Sequence, residues 1–166
     1  MNDQTFQMHD IRGVLIPISG GRLLLPNAAV AEVITLSTPE PIAGTPEWLL
    51  GRVSWRGWRV PLVAYSTLAG LPRPQSALNS RVTVLKVFGG NPRMPFLALV
   101  TQGFPRLTTI SSDILVSTGN GEDLPDGVRQ QVLVRDEEAI IPDLEAIERL
   151  VTEAIAAASA VEPVAD

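Results

Sequence analysis

The sequence contains no cysteine and a single histidine, His9. The missing thiols exclude disulfide bonds, thiolate nucleophiles and thiolate metal sites. One histidine in a polar N-terminal segment provides no Ser–His–Asp triad, no histidine acid–base pair and no His-rich zinc site. A phosphate-binding Gly-x-x-x-x-Gly-Lys-Ser/Thr loop is also absent. We therefore expect no enzymatic activity, no cofactor and no bound metal; a small carboxylate-dependent enzyme stays open as a rival, because two acids distant in sequence can meet in space.

The chain also lacks long apolar runs and clustered positive charge. No apolar run reaches the roughly 20 residues that span a bilayer, and residues 1–12 are polar rather than signal-like. We therefore expect a cytoplasmic protein with no direct membrane insertion. Residues 1–110 carry ten basic and five acidic side chains, whereas residues 111–166 carry three and thirteen. The basic first part leaves nucleic-acid binding as the alternative function, but its Arg residues are scattered, so we expect no nucleic-acid partner.

A β-rich pattern occurs twice along the chain. Residues 14–25 predict a hairpin that turns at Gly20-Gly21, and residues 82–100 predict another that turns at Gly89-Gly90. A strand that runs into a helical turn at residues 62–66 recurs at residues 139–144. Two copies of a small β-unit predict two barrels packed together, joined by a polar linker near residues 71–80.

One hairpin carries most of the aromatic surface. Residues 51–63 form two strands that flank a two-residue turn, Arg56-Gly57, with Gly where φ is positive. All three tryptophans lie within residues 48–58. They either fill the core beneath the hairpin or form a partly exposed patch, since Trp is enriched at binding hot spots. The predicted cross-strand pairs are Trp55 with Trp58, Val53 with Val60 and Gly51 with Leu62.

Helical and irregular segments surround these strands. Asn27 is typical of the N-cap of a short helix over residues 28–34. Apolar residues at helical spacing after Asp143, a second N-cap, predict a C-terminal helix docked on the protein itself and frayed from residue 156. Residues 111–131 are polar and glycine-containing, which predicts that much of this segment is a mobile loop. The expected organisation is a flexible tail over 1–12, one domain over 13–150, and the helix end with a frayed tail over 151–166.

Residues 46–63, PEWLLGRVSWRGWRVPLV, resemble the defining stretch of the CheW-like domain family, P-x-F-I-x-G-V-x-N-L-R-G-x-I-x-P-V-I-D-L. Residues 30–34 are similar to that family's V-x-E-I-I helix, and residues 133–144 to its closing strand and final helix. The resemblance covers about residues 13–150. It implies an all-β fold with short helices: two intertwined SH3-like five-stranded β-barrels, with a groove between them, and a C-terminal helix.

The resemblance also implies a function. Members of this family are non-catalytic adaptors that couple the cytoplasmic tips of chemoreceptors to a CheA-type histidine kinase. By position, the family's receptor-contacting Glu and the Arg before the Gly of its motif become Glu32 and Arg56. An Arg at a hairpin tip beside apolar side chains suits a surface that grips an amphipathic helix. The expected partner-binding residues are Glu32, Val33, Val53, Trp55, Arg56 and Trp58.

Two dipeptides depart from the family pattern. Ser54-Trp55 stands where the family has Asn-Leu, and Ala64-Tyr65 stands where it has Asp-Leu. Together with the acidic C-terminal part, these departures indicate a divergent, ChpC-type adaptor of a type IV pilus (twitching motility) chemosensory system.

Overall fold

The protein is described by a computed structural model over residues 11–72, 79–111, 115–118 and 124–161. These ranges contain two sheets, a short helix α1 (Tyr65–Leu68) and a C-terminal helix α2 (Leu144–Val161). The strands are β1 (Ile11–Ile18), β2 (Gly21–Pro26), β3 (Val30–Thr35), β4 (Leu49–Trp55), β5 (Trp58–Val63), β6 (Ser80–Lys86), β7 (Phe96–Gln102), β8 (Arg106–Ile110), β9 (Leu115–Thr118), β10 (Val128–Val134) and β11 (Glu137–Pro142).

The two sheets repeat one strand order. Sheet A runs β8-β1-β2-β11-β10-β9, and sheet B runs β3-β6-β7-β5-β4. The first five strands of sheet A match sheet B one for one, including a single parallel pair, β2 with β11 and β7 with β5. Sheet A takes strands from both sides of the segment that forms sheet B, so the two units are intertwined as expected. The structure adds a sixth strand, β9, at one edge of sheet A.

The hairpin turns follow the local sequence. In the β4–β5 hairpin, Trp55 lies opposite Trp58, Val53 opposite Val60 and Gly51 opposite Leu62, which confirms the predicted register. The turn residues Arg56 and Gly57 have φ angles of 47° and 81°. Both values are positive, as in the turns whose twist matches that of a hairpin. The positive φ expected at Gly57 is confirmed, and Arg56 has one as well.

Hydrophobic side chains divide between a central cluster and one cluster inside each sheet. Along β1, Ile16 contributes to the central cluster and Leu15 to the interior of sheet A, because successive side chains of a strand point to opposite faces. Leu97 of β7 also enters the central cluster, whereas Ala98 lies inside sheet B. The two sheets therefore share one core in addition to their own interiors.

Helix α2 closes this shared core. The backbone N–H of Ala146 donates to Asp143 Oδ1 at 3.1 Å, which confirms Asp143 as the capping residue. Ile147 and Val151 are fully buried in the central cluster. The expectation of fraying from residue 156 was wrong: the helix extends to Val161, because alanine favours helix and Ala158 is buried. Residues 162–166 lie outside the described residues.

The predicted helix over residues 28–34 was also wrong. A single 3₁₀ turn, Asn27–Ala29, leads directly into β3, which pairs with β6. Three β-branched residues, Val33, Ile34 and Thr35, disfavour a short helix and suit a paired strand. The local cap signal at Asn27 was therefore outweighed by pairing with a strand about 50 residues further along the chain.

The predicted loop over residues 111–131 contains β9 and the start of β10, which pair with each other. That part of the prediction was wrong, since three of the four residues of β10 that pair with β9, residues 132–134, follow the predicted loop. The predicted tail over 1–12 ends earlier than expected, because β1 begins at Ile11. The rest of that tail, residues 1–10, and most of the linker, residues 73–78, lie outside the described residues.

Candidate partner-binding site

The tip of the β4–β5 hairpin contacts the opposite edge of its own sheet. β3 and β4 are the two edge strands of sheet B. Nevertheless Trp55, the last residue of β4, donates its indole Nε1–H to Oε1 of Glu32 on β3 at 3.0 Å. A hydrogen bond between the two edges requires sheet B to curl on itself, as a small barrel does. Glu32 is thereby held at the mouth of the barrel beside the hairpin turn.

Arg56 is fixed against the same carboxylate. Its Nε and Nη2 atoms lie 3.0 and 2.9 Å from Oε1 of Glu32. Its guanidinium carbon lies 5.3 Å from the ring centroid of Trp55, within the range of a cation–π contact. Among the described residues, none donates to Oε2 of Glu32. The arrangement leaves one carboxylate oxygen and several guanidinium N–H groups for a partner.

Phe96 at the start of β7 completes the aromatic surface. Its ring meets the ring of Trp55 edge-on with centroids 4.8 Å apart, and that of Trp58 with centroids 5.7 Å apart. Trp58 remains 42% exposed. We call Glu32, Trp55, Arg56, Trp58 and Phe96 the tip cluster. Sequence reasoning missed Phe96, because it reaches the tryptophans through a parallel strand pairing that no local pattern reveals.

The tryptophans do not share one role. Trp48 is half-buried and packs on the central cluster, and Trp55 is half-buried over the interior of sheet B. Trp58 is the most exposed of the three. Both alternatives for the tryptophans therefore hold in part, since the group contributes to the core and also to an exposed patch.

Glu32 is an ionised group at neutral pH. Its pKa lies below the ordinary glutamate value, first because the Trp55 indole donates to the carboxylate and then because Arg56 does. The pair is accessible to water, with 70% of the Arg56 side chain and 38% of the Glu32 side chain exposed. An exposed ion pair of this kind adds little stability. Its effect is to orient the guanidinium.

The remaining expected site residues lie elsewhere. Val53 is buried inside sheet B, so its side chain supports the tip cluster from below and is not part of the surface. Val33 is half-buried and follows Glu32 along β3, so it points to the other face of the strand. The structure thus brings together Glu32, Trp55, Arg56 and Trp58, and separates Val33 and Val53 from them.

Gly51 of β4 allows the backbone near Glu40 to approach the β4–β5 hairpin closely. Its φ is 134°, and a Cβ placed on it would lie 2.1 Å from the carbonyl oxygen of Glu40. The backbone of Glu40 exchanges hydrogen bonds of 2.8 and 2.9 Å with that of Arg52. A glycine is therefore required for the segment before β4 to pack against the hairpin.

The described ranges offer little other chemistry. Within them, no group of three or more His, Cys, Asp or Glu side chains is placed to hold a metal ion. Neither helix in the described part of the chain has the length and hydrophobicity to cross a membrane. The tip cluster has the features of a binding surface, since an oriented Arg beside an exposed aromatic ring is typical of interface hot spots.

Comparison with known proteins identifies the fold and the family of the chain. A family model described as the CheW-like domain matches residues 12–151. The solved structure of the scaffolding protein TtCheW from Thermoanaerobacter tengcongensis aligns with a TM-score of 0.68 and 18% identity, over 81% of this chain and 84% of that one. A search of curated proteins finds no match. The structural match confirms two SH3-like subdomains, and because the family model covers most of the sequence, the chain belongs to the CheW-like domain family.

Proposed function

We propose that this chain is a non-catalytic cytoplasmic adaptor that couples chemoreceptor signalling tips to a CheA-type histidine kinase. The observation that carries the proposal is the exposed, oriented Arg56 of the tip cluster in a chain of this family. The related TtCheW is described as a scaffolding protein. A scaffold needs partner surfaces rather than an active site, and the tip cluster has the composition of such a surface.

The tip cluster suits an amphipathic helix, the form expected of a receptor tip. Trp58 offers an accessible ring for apolar side chains, and Arg56 offers free N–H groups to a carboxylate or a helix carbonyl. Glu32 and Trp55 hold the guanidinium before binding, so less side-chain freedom is lost on association. Glu32 thus positions Arg56 through Oε1 and leaves Oε2 to accept a hydrogen bond from the partner.

The test is binding of purified receptor-tip fragments and of the kinase, both from the same genome, to the wild-type chain and to Arg56→Ala and Glu32→Ala. We expect Arg56→Ala to lose about 2 kcal/mol or more of receptor-tip binding, as interface arginines commonly do. We propose that the kinase binds a surface other than the tip cluster, so kinase binding should persist in this variant. Glu32→Ala should weaken receptor binding in the same direction, since it releases the guanidinium.

Arg135→Ala is the matched control. Arg135 is an exposed first residue of the β10–β11 turn, and its φ of 48° nearly equals the 47° of Arg56. The Arg135→Ala variant should bind both the receptor tip and the kinase like the wild type. If Arg56→Ala melts normally and still binds every partner, the receptor surface lies elsewhere. If it melts far below the wild type, Arg56 is structural and the assignment fails.

We place this adaptor in a chemosensory pathway of the type IV pilus, that is, in twitching motility. The proposal rests on Ser54-Trp55 and Ala64-Tyr65, which depart from the family's usual residues. Trp55 lies inside the tip cluster, so the departure alters the proposed receptor surface itself. Selective binding of the receptor tip encoded with pilus genes, over a flagellar receptor tip, is the expected result; the reverse selectivity would contradict it.

A further inference from the structure

A separate cleft lies on the outer face of the β4–β5 hairpin. It is bounded by that hairpin, by the loop between β6 and β7, and by the second half of α2, and its volume is about 540 Å³. Arg52, Arg59 and Arg93 line it, together with Pro61, Met94 and Ile155. We call it the arginine cleft. Pro61 and Met94 are buried, so the cleft has an apolar floor beneath charged groups.

The charge of the cleft is largely unbalanced. The chain as a whole has a net charge of −5, yet three guanidiniums meet here. Arg59 pairs with Glu40, and both side chains are more than half exposed, so a competing carboxylate can replace Glu40 at little cost. Within the described ranges, Arg52 and Arg93 form no ion pair. Strand alternation in the hairpin predicts that Arg52 and Arg59 share one side, and the fold adds Arg93 from the loop between β6 and β7.

We propose that the arginine cleft docks an acidic amphipathic segment of a protein partner. Carboxylates of that segment would pair with Arg52 and Arg93, whose planar forks match carboxylate geometry. An apolar side chain between the carboxylates would cover Met94 and Ile155. A bounded cleft with a buried floor fits side chains of a peptide better than a nucleic acid, whose phosphates need an extended track of cations. It also fits better than a membrane, which needs large protruding apolar groups.

This surface is distinct from the tip cluster. Arg52 lies opposite Pro61 and Ser54 opposite Arg59, and these residues alternate with Val53 and Val60, which point into sheet B. Trp55 shares the inward side with Val53. The arginine cleft and the tip cluster therefore occupy opposite faces of one hairpin, and a partner can engage one without the other.

The experiment measures binding of a labelled helical peptide with Glu at positions i and i+4 and Leu between them. The control peptide carries Gln in place of Glu. We expect saturable binding of the Glu peptide that weakens with added salt and weakens by roughly tenfold or more in the double variant Arg52→Gln/Arg93→Gln. Arg12→Gln, which removes an exposed charge outside the cleft, should bind like the wild type. Arg56→Ala should also retain the peptide.

Several results would overturn the proposal. One is that the Glu peptide shows no saturable binding. Another is that the Gln peptide binds as tightly as the Glu peptide, and a third is that Arg12→Gln weakens binding as much as the double variant does. Tighter binding of phosphatidylserine vesicles or of single-stranded DNA, abolished by the same double variant, would reassign the cleft to a membrane or to nucleic acid. If the double variant melts early, Arg93→Gln alone decides, because Arg93 is exposed in a loop. If Arg56→Ala loses receptor binding but still binds the Glu peptide, the two surfaces act independently. This variant therefore distinguishes the present proposal from the proposed function.

Discussion

The β4–β5 hairpin of sheet B and the β10–β11 hairpin of sheet A occupy the same place in two units of equal strand order. Each has a two-residue turn that begins with Arg and takes positive φ at both positions, 47° and 81° in the first and 48° and 72° in the second. Each also has a bulge at the start of its first strand, next to Gly51 in one and Gln130 in the other. The backbone plan is therefore shared in detail.

An ion pair ties each hairpin to the edge strand of its unit, with opposite polarity. In sheet B, Glu32 of β3 pairs with Arg56, and in sheet A, Arg106 of β8 pairs with Glu137 at 2.7 Å. The difference lies in the aromatic rings. The pair Trp55/Trp58 in one hairpin corresponds to Val134/Glu137 in the other. Both units have such a surface ion pair, whereas the aromatic surface beside an oriented Arg belongs to one hairpin only. This difference is why we propose the β4–β5 hairpin as the binding site.

Gly51→Ala should have the largest effect on stability. The new Cβ would meet the Glu40 carbonyl oxygen at 2.1 Å, and the φ of 134° is unfavourable for alanine. We expect a loss of about 3 kcal/mol or more in the free energy of unfolding, measured by denaturant titration. Gln130→Ala, at the equivalent bulge, should stay within about 0.5 kcal/mol. Equal effects of the two variants would show that the Glu40 contact does not distinguish the units.

Tyr65→Phe should have an intermediate effect. Tyr65 begins α1, is fully buried, and donates its hydroxyl to the carbonyl of Gly127 at 2.8 Å, which links α1 to the segment before β10. Loss of this hydrogen bond leaves the carbonyl unsatisfied, so we expect about 1–2 kcal/mol of destabilisation. Leu144 holds the equivalent place at the start of α2, so only one unit has this link. An unchanged stability of Tyr65→Phe would show that water replaces the hydroxyl.

The same tyrosine predicts a pH dependence. Burial raises the pKa of Tyr65 above its ordinary value. Because the folded pKa exceeds the unfolded value of about 10, the stabilisation is present below that pH and is lost as the pH rises through the folded pKa. Tyr65 is the only tyrosine in the chain. Tyrosinate absorbance should therefore appear only together with alkaline unfolding; ionisation well before unfolding would contradict the burial.

The β4–β5 register could be predicted because turn chemistry and strand alternation are local properties. The pairing of Glu32 with Arg56 could not, because it depends on the closure of sheet B, which brings strands at opposite ends of the sheet order together. Phe96 was missed because it reaches the tryptophans through the parallel pairing of β5 with β7, and the arginine cleft because Arg93 comes from the loop between β6 and β7. Residues 30–34 show the opposite failure: a local cap signal predicted a helix, but pairing with β6 decided the conformation.

The smallest expected effect concerns the carboxylate pKa values in the two ion pairs, which are lowered by different donors. The pKa values of Glu32 and Glu137 are both lowered, the first mainly by the Trp55 indole and the second mainly by Arg106. Lowered values mean that each pairing stabilises the fold above the unfolded pKa and ceases to do so as the pH falls through the folded pKa.

Removing the arginine from each pair should therefore give unequal results. Arg106→Ala should return the pKa of Glu137 close to its ordinary value, because its main donor is gone. Arg56→Ala should raise the pKa of Glu32 only in part, because Trp55 still donates to Oε1 at 3.0 Å. Carboxyl chemical shifts followed by NMR during an acid titration measure both values. Full restoration of the Glu32 pKa by Arg56→Ala would show that the indole does not hold the carboxylate, and that Arg56 alone closes the barrel mouth.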